Sequence, residues 1–333
     1  MGKFYKILLL SCFFALTSFT LYSQQINLIR FNNSANYTPG SGVSVIINPT
    51  GVFDLNNQFI LELSNPGAVF TTPTVLNTLN EFYIPTVNGT LPNGLAAGTY
   101  KLRIRSTNPV LSVETNSFNV VSGGGIGVPN FQSTLLNVAS STFNCLSSCT
   151  QLNNIFGKID AATGELSSII SSSERRGVIC NYDINISYQI NLINISNSAI
   201  TNLSINSSNG QFVIPDNLPI GTYGIEIEKK QSNNISVFTN IFIFHGSATT
   251  LSNSTGETVC IGNNVNFSIA ADANGILRNY MGSKYTISFG DGTNIETYTH
   301  AQLLNLYTSN STIPHTFNNV SCNTGTAPNS GYF

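Results

Sequence analysis

The chain has 333 residues, of which 41% are hydrophobic and only 8% charged, and its net charge is −2. An average soluble domain carries about 25% charged residues, so both a basic, phosphate-tracking surface and a charge-swollen disordered chain are excluded. Polarity comes instead from Ser, Thr and 45 asparagines, all poor helix formers. Ile, Val, Phe and Tyr are abundant and suit strands, so the composition predicts an all-β protein.

Residues 1–23 read as a secretory signal peptide. Lys3 and Lys6 precede an apolar run from Ile7 to Leu21, too short to span a bilayer comfortably, and cleavage is expected after Ser23. Leu9-Leu10-Ser11-Cys12 loosely resembles a lipoprotein box, but the apolar run continues past Cys12, which disfavours lipidation. No later stretch approaches 18 apolar residues. An extracellular or outer-surface location follows, and with it an oxidising compartment. The remaining cysteines, Cys145, Cys149, Cys180, Cys260 and Cys322, are therefore disulfide candidates.

A long internal repeat comes next. Leu91-Pro92-Asn93-Gly94-Leu95-Ala96-Ala97-Gly98-Thr99-Tyr100 returns as Ile214-Pro215-Asp216-Asn217-Leu218-Pro219-Ile220-Gly221-Thr222-Tyr223. Alternating strands follow each copy, Lys101 to Arg105 and Gly224 to Glu228, and then Thr115-Asn116 before Phe118 and Thr239-Asn240 before Phe242. Upstream, Phe59 to Leu63 matches Gln189 to Ile193. A repeat this long, built of short strands, predicts tandem immunoglobulin-like β-sandwiches and not a solenoid. The domains are expected at 24–121 and 131–246, joined by a Gly-rich linker at 122–130. The second opens with an insertion in which Leu152 to Ile170 reads weakly helical, so helix is expected only within about 145–172. A third unit spans 250–333.

In that third unit, Val259-Cys260-Ile261-Gly262 leads into the alternating run Val265 to Ile269. Tyr285-Thr286-Ile287-Ser288-Phe289-Gly290-Asp291-Gly292-Thr293 follows, then His315-Thr316-Phe317 and Cys322. This order resembles a PKD-type immunoglobulin-like domain. With its flanking cysteines it is similar to the PKD-like modules of large Bacteroidetes surface proteins, including gliding-motility-associated adhesins exported by the type IX system. The Trp usual before the Phe-Gly-Asp-Gly turn is absent. The resemblance implies that the strands beginning at Val265 and His315 are antiparallel neighbours and that Cys260 pairs with Cys322. It also implies that the unit stops short of its last two strands, leaving it incomplete at the C-terminus and with an open sheet edge.

The motif Phe289, Gly290, Asp291, Gly292 needs no chemistry to explain it. The two glycines supply positive φ for a tight hairpin, and Tyr285, Ile287 and Phe289 fall on one strand face toward a core. Asp291 alone lacks the several oxygen ligands that Ca²⁺ takes.

Catalytic groups do not converge in the sequence. The histidines are His245, His300 and His315, and His315 reads as a packed or hydrogen-bonded residue. No serine-hydrolase, zinc-protease or phosphate-loop pattern occurs. Glu226 and Glu228 could pass for a glycosidase pair, but the repeat places Arg103 and Arg105 there, so they read as a solvated sheet face. Cys145, Cys149 and Cys180 lack a fourth zinc ligand and read as one disulfide plus a thiol, with the pairing open. Asn-x-Ser/Thr sequons at Asn32, Asn36, Asn88 and Asn253 are compositional. No cofactor, metal or nucleic acid is expected.

Two functional readings follow. The first is a non-catalytic, structural or adhesive surface protein, a rod of modules presenting a site to another surface protein or a polysaccharide. The second is the N-terminal non-catalytic region of a secreted protease or glycoside hydrolase. A dedicated carbohydrate-binding module is weaker, because without Trp only Tyr could build the aromatic platform.

Overall fold

The structure is a computed structural model that describes residues 24–133, 155–160, 176–215, 217–245, 251–253, 262–269 and 279–318. The signal segment and Cys145, Cys149, Cys260 and Cys322 lie outside the described residues.

The first sandwich is built from β1 (Gln25–Phe31), β2 (Gly42–Thr50), β3 (Phe59–Asn65), β4 (Val69–Leu79), β5 (Thr86–Thr90), β6 (Gly98–Tyr100), β7 (Leu102–Ser106), β8 (Ser112–Glu114) and β9 (Phe118–Val120). A β1-β2-β5 sheet and a β4-β3-β7-β8 sheet enclose the core, and β6 pairs with β9. Period-two alternation sets the faces: Leu102 and Ile104 of β7 enter the core with Leu61, Leu63, Val43 and Val45, while Arg103 and Arg105 point away.

The second sandwich comprises β10 (Phe131–Ser133), β11 (Ile155–Asp160), β12 (Arg176–Ile179), β13 (Ser187–Asn194), β14 (Ile200–Leu203), β15 (Gln211–Val213), β16 (Gly221–Gln231) and β17 (Asn234–His245). Its sheets are β10-β12-β15 and β11-β17-β16-β13-β14. Phe131, Ile190, Leu192, Phe212, Ile225, Ile227 and Phe242 fill the space between them.

Both copies of the repeat fold alike. The Tyr100 hydroxyl donates to the carbonyl of Ala96 at 2.9 Å, and the Tyr223 hydroxyl to that of Pro219 at 2.6 Å. Such tyrosine corners mark immunoglobulin-type sandwiches. Each tyrosine lies opposite a phenylalanine, Tyr100 against Phe118 and Tyr223 against Phe242, with ring centroids 6.3 and 6.2 Å apart. The upstream match needs correcting by one residue. Leu61 lies opposite Ile104, and Ile190 lies opposite Ile227, so Leu61 corresponds to Ile190 and not to Asn191. A slip of one residue would have turned a core face outward.

A second correction concerns helix. Residues 155–160, inside the segment expected to be helical, form β11, parallel to β17, with Ile155 opposite Ile241 and Asp160 opposite His245. Ile155, Phe156 and Ile159 suit a strand, and pairing along β17 outweighs a weak helical pattern. The rest of that segment lies outside the described residues.

The third unit holds β18 (Leu251–Asn253), β19 (Asn264–Ile269), β20 (Lys284–Ile287), β21 (Glu296–Thr299), the helix α1 (His300–Thr308) and β22 (Ile313–Thr316). Helix thus forms here, opened by a capping box: Thr299 Oγ1 accepts from the Gln302 backbone N–H, and Gln302 Oε1 accepts from that of Thr299. β19 lies between β18 and β22, and β20 pairs with β21. As the PKD resemblance implies, β19 and β22 are antiparallel neighbours, with Asn264 opposite Thr316.

The sandwiches are not strung end to end as a rod. Ile235, Val237, Ile241 and Ile243 of β17 join the first sandwich's apolar cluster, and Ile46 of β2 packs on Ile193 and Ile195. The third unit touches the first where Tyr280 meets Tyr83 edge-on, centroids 5.4 Å apart.

Candidate functional site

The densest chemistry lies between the first two sandwiches. On β16, Glu226 and Glu228 alternate with Ile225 and Ile227, so the isoleucines enter the second core and the carboxylates face the first sandwich. They are 0% and 2% exposed. This overturns the solvated-face reading, because the face that would be wet in a lone sandwich is covered here by β1 and β2.

Arg30 of β1 supplies the counter-charge. Its Nε donates to Glu226 Oε1 and Oε2 at 2.9 and 3.2 Å, and its Nη2 to Glu228 Oε1 at 3.1 Å. The Asn191 amide, opposite Glu226 on β13, donates to Oε1 of both glutamates at 2.9 Å. Lys230 Nζ closes the set at 2.8 Å from Glu228 Oε2, and also donates to Gln189 Oε1. All four carboxylate oxygens therefore receive donors. Burial pushes the Glu226 carboxyl above its usual value, and the bonds from Arg30 and Asn191 offset only part of that. Burial acts on Glu228 the same way, but Lys230 and Arg30 outweigh it and hold Glu228 below its usual value. Two carboxylates bound to one guanidinium and one amide, closed from solvent, cannot flank a glycosidic bond as a hydrolase requires. The cluster is a clasp.

Hydrogen bonds extend the contact. The Asn88 side chain bridges as a strand would, donating to the Thr239 carbonyl at 2.8 Å and accepting from its N–H at 3.0 Å. Ser44 Oγ donates to Thr239 Oγ1 at 2.7 Å, and Ser236 Oγ accepts from the Gly42 N–H at 2.7 Å. Backbone bonds join Asn36 to Asn233 and Ile235.

The equivalent face of the first sandwich is less covered. Arg103 and Arg105 reach Glu62 at 2.7 and 3.4 Å, and Arg103 lies 4.4 Å from the centre of the Phe70 ring.

Among the sequence-predicted residues, the turn motif forms a cluster with His315. Gly290 and Gly292 have φ of 74° and 83°, the left-handed values expected. The connection is longer than a tight hairpin, since β20 ends at Ile287 and β21 begins at Glu296. Asp291 Oδ1 accepts from the Thr293 N–H and hydroxyl at 3.1 and 2.6 Å, and Oδ2 lies 2.9 Å from His315 Nε2. Chiefly through the Thr293 hydroxyl, with help from His315, the Asp291 carboxyl is held down at about 2. The His315 ring stacks on Phe289 at 3.7 Å and meets Phe317 edge-on at 4.6 Å. His315 is thus a packed, hydrogen-bonded residue. Of the cysteines, Cys180 is described: it is buried, and its N–H donates to the Asn130 carbonyl.

A cleft of about 160 Å³ opens between the two sheets of the second sandwich, lined by Val128, Pro129, Asn130, Cys180, Asn181, Tyr188, Lys229 and Phe238. No group of three or more metal-ligating side chains occurs among the described residues. Nor does any helix there have the length and apolarity to cross a membrane.

No protein-family model matches the sequence, and no curated protein matches it. Among solved structures, the chain is similar to the BSP domain of a biofilm-associated protein, at 13% identity and a TM-score of 0.26, covering 64% of this chain and 29% of that one. It is similar to the FN1–FN3 domains of chicken CNTN1 at 9% identity and a TM-score of 0.23, covering 67% and 69%. The four N-terminal immunoglobulin domains of Dscam1 give 9% identity and a TM-score of 0.21, covering 75% and 58%. At such scores the immunoglobulin-like fold rests on the strand pairing and the two tyrosine corners.

Proposed function

We propose that this chain is a non-catalytic, secreted or cell-surface modular protein with a structural or adhesive role. The observation that carries the reading is the clasp. The two carboxylates best placed by sequence to serve a hydrolase are consumed in joining two sandwiches. On this reading the domains fall at 24–121, 131–246 and 250–333, the last a PKD-type module of the kind found in Bacteroidetes surface proteins exported by the type IX system. Cys260 and Cys322 bridge the paired ends of β19 and β22, whose register brings those ends together. The same modules could serve as the non-catalytic N-terminal region of a secreted protease or glycoside hydrolase.

Two measurements test the proposal. Purified protein should turn over neither peptide nor glycan substrates, and on intact producing cells it should be reached by added protease or antibody. Hydrolysis that disappears in Glu226→Gln, or protein shielded inside intact cells, would overturn it.

A further inference from the structure

We infer that the outer face of β3 and β7 on the first sandwich docks a second protein, through a carboxylate that this partner carries on a β-sheet face. This rests on the adhesive reading above and gives the partner its chemistry.

The internal repeat supplies the first observation. Arg103 and Arg105 of β7 stand where Glu226 and Glu228 stand on β16. Glu62, opposite Arg103 on β3, takes the place of Asn191, opposite Glu226 on β13. On the second sandwich this face is closed by a sheet of the other sandwich. On the first, the described residues leave the Arg103 and Arg105 side chains 23% and 37% exposed. One surface of one fold is thus an interface in the second copy and open in the first.

The second observation is charge, which the two faces balance in opposite senses. On the second sandwich, Glu226 and Glu228 have one cation from their own face, Lys230, and the covering sheet brings the other, Arg30. On the first, three cations, Lys101, Arg103 and Arg105, share two carboxylates, Glu114 and Glu62. Arg103 holds Glu62 at 2.7 Å, and Arg105 reaches the other oxygen of that carboxyl at 3.4 Å. Arg105 forms no other ion pair or side-chain hydrogen bond among the described residues. Its guanidinium keeps donors in the planar fork that fits a carboxylate. By the logic of the clasp, the cover for this face brings one negative charge.

The third observation is the setting. Val75 of β4 lies opposite Glu62 and is 55% exposed. Ile60, opposite Arg105, and Phe70, beneath the Arg103 guanidinium, are half-buried. Arginines among apolar side chains suit a protein interface, whereas an acidic glycan would meet the arginines and leave the valine wet. A second copy does not fit. Head-to-tail stacking would bring the β10-β12-β15 sheet, the second sandwich's counterpart of β1-β2-β5, and those three strands hold no Asp or Glu.

The test is photocrosslinking of the full chain on intact producing cells. A benzoylphenylalanine at position Thr78, exposed and opposite Ile60 on this face, should capture a protein whose crosslinked segment is a strand bearing Asp or Glu. The same group at Ile184, exposed on the second sandwich, should not capture it. Arg105→Gln, and separately Val75→Glu, which sets a carboxylate on the face itself, should each reduce the adduct at least about tenfold with little change in melting temperature. With the captured protein purified, replacing its carboxylate by Lys should weaken binding about tenfold, and Arg105→Glu should restore most of that loss. No adduct at Thr78, an adduct with a second copy or with glycan, or a captured segment without a carboxylate would each overturn the inference. So would an adduct undiminished by both Arg105→Gln and Val75→Glu. None of these results would touch the non-catalytic reading, which turns on hydrolysis and surface exposure.

Discussion

Asn32, Asn194, Asn197, Asn206 and Asn209, with Asp54, Asp183 and Asp291, each accept through a side-chain oxygen the backbone N–H two residues on. These Asx turns bend the chain between strands, and where the residue is Asn they do so without adding net charge. At Asp291 the acceptor is an ionisable carboxyl. Its ordinary value is 3.8 and its folded value about 2. A depressed carboxyl contributes stability above its unfolded pKa, and that contribution is lost as pH falls through the folded one. The third unit should therefore lose stability between about pH 4 and pH 2, read as faster amide exchange in α1. Asp291→Asn keeps the turn acceptor and should flatten that drop; an unchanged profile would show that the Asp291–His315 contact carries no such contribution. The tyrosine corners make a second case at this scale. Tyr100→Phe and Tyr223→Phe each leave a carbonyl without its donor and should cost about 1 kcal/mol by chemical denaturation.

Strand alternation makes the fold legible in the sequence and leaves the clasp hidden. Alternation along β7 and β16 fixes which residues enter a core, and the Gly-Thr-Tyr repeat fixes where each sandwich turns its corner. The same alternation assigns Glu226 and Glu228 to the outer face of a sandwich, which is where they are. It cannot tell that another sheet covers that face, because the cover comes from Arg30, 196 residues away. A usable signal existed: with only 8% charged residues, two carboxylates alternating with isoleucines on one strand call for a named cation. The helix was misplaced for a related reason. Residues 155–160 combine weak helical character with strong strand composition, whereas Thr299-His300-Ala301-Gln302 carries a capping box that period-two alternation does not register. Removing the clasp's cation tests its energetics. Arg30→Met leaves Glu226 buried without a counter-charge and Glu228 with Lys230 alone, and should cost ~3–5 kcal/mol. Replacing Arg30, Glu226 and Glu228 together by apolar residues should cost far less, since the desolvation penalty disappears with the charges. Equal losses in the two variants would mean that packing, not charge, holds the faces together.

Across the molecule, the contact between the first two sandwiches is closer than flexible linkage through a Gly-rich segment would give. Apolar side chains of β17 belong to the first sandwich's cluster, and the polar bonds of Asn88, Ser44 and Gly42 all converge on Ser236 and Thr239 of that strand. Interfaces between linked domains usually permit relative motion unless they are large and apolar. Here apolar contact, bridging amides and a closed ion cluster act on one face, so the pair should unfold as one cooperative unit. Gly42 is the point where this is most exposed to a single change. A Cβ there would stand 2.8 Å from the Val237 carbonyl oxygen and 2.9 Å from Val128 Cγ1. The first obstacle is backbone, so β2 and β17 must separate to admit even a methyl group. Gly42→Ala should therefore cost ~1–3 kcal/mol, the usual range for overpacking. It should also split one calorimetric transition into two, as each sandwich keeps its own core and tyrosine corner but loses the shared face. Two transitions already present in the unaltered protein would mean that the sandwiches fold independently and that the clasp orients them without stabilising either.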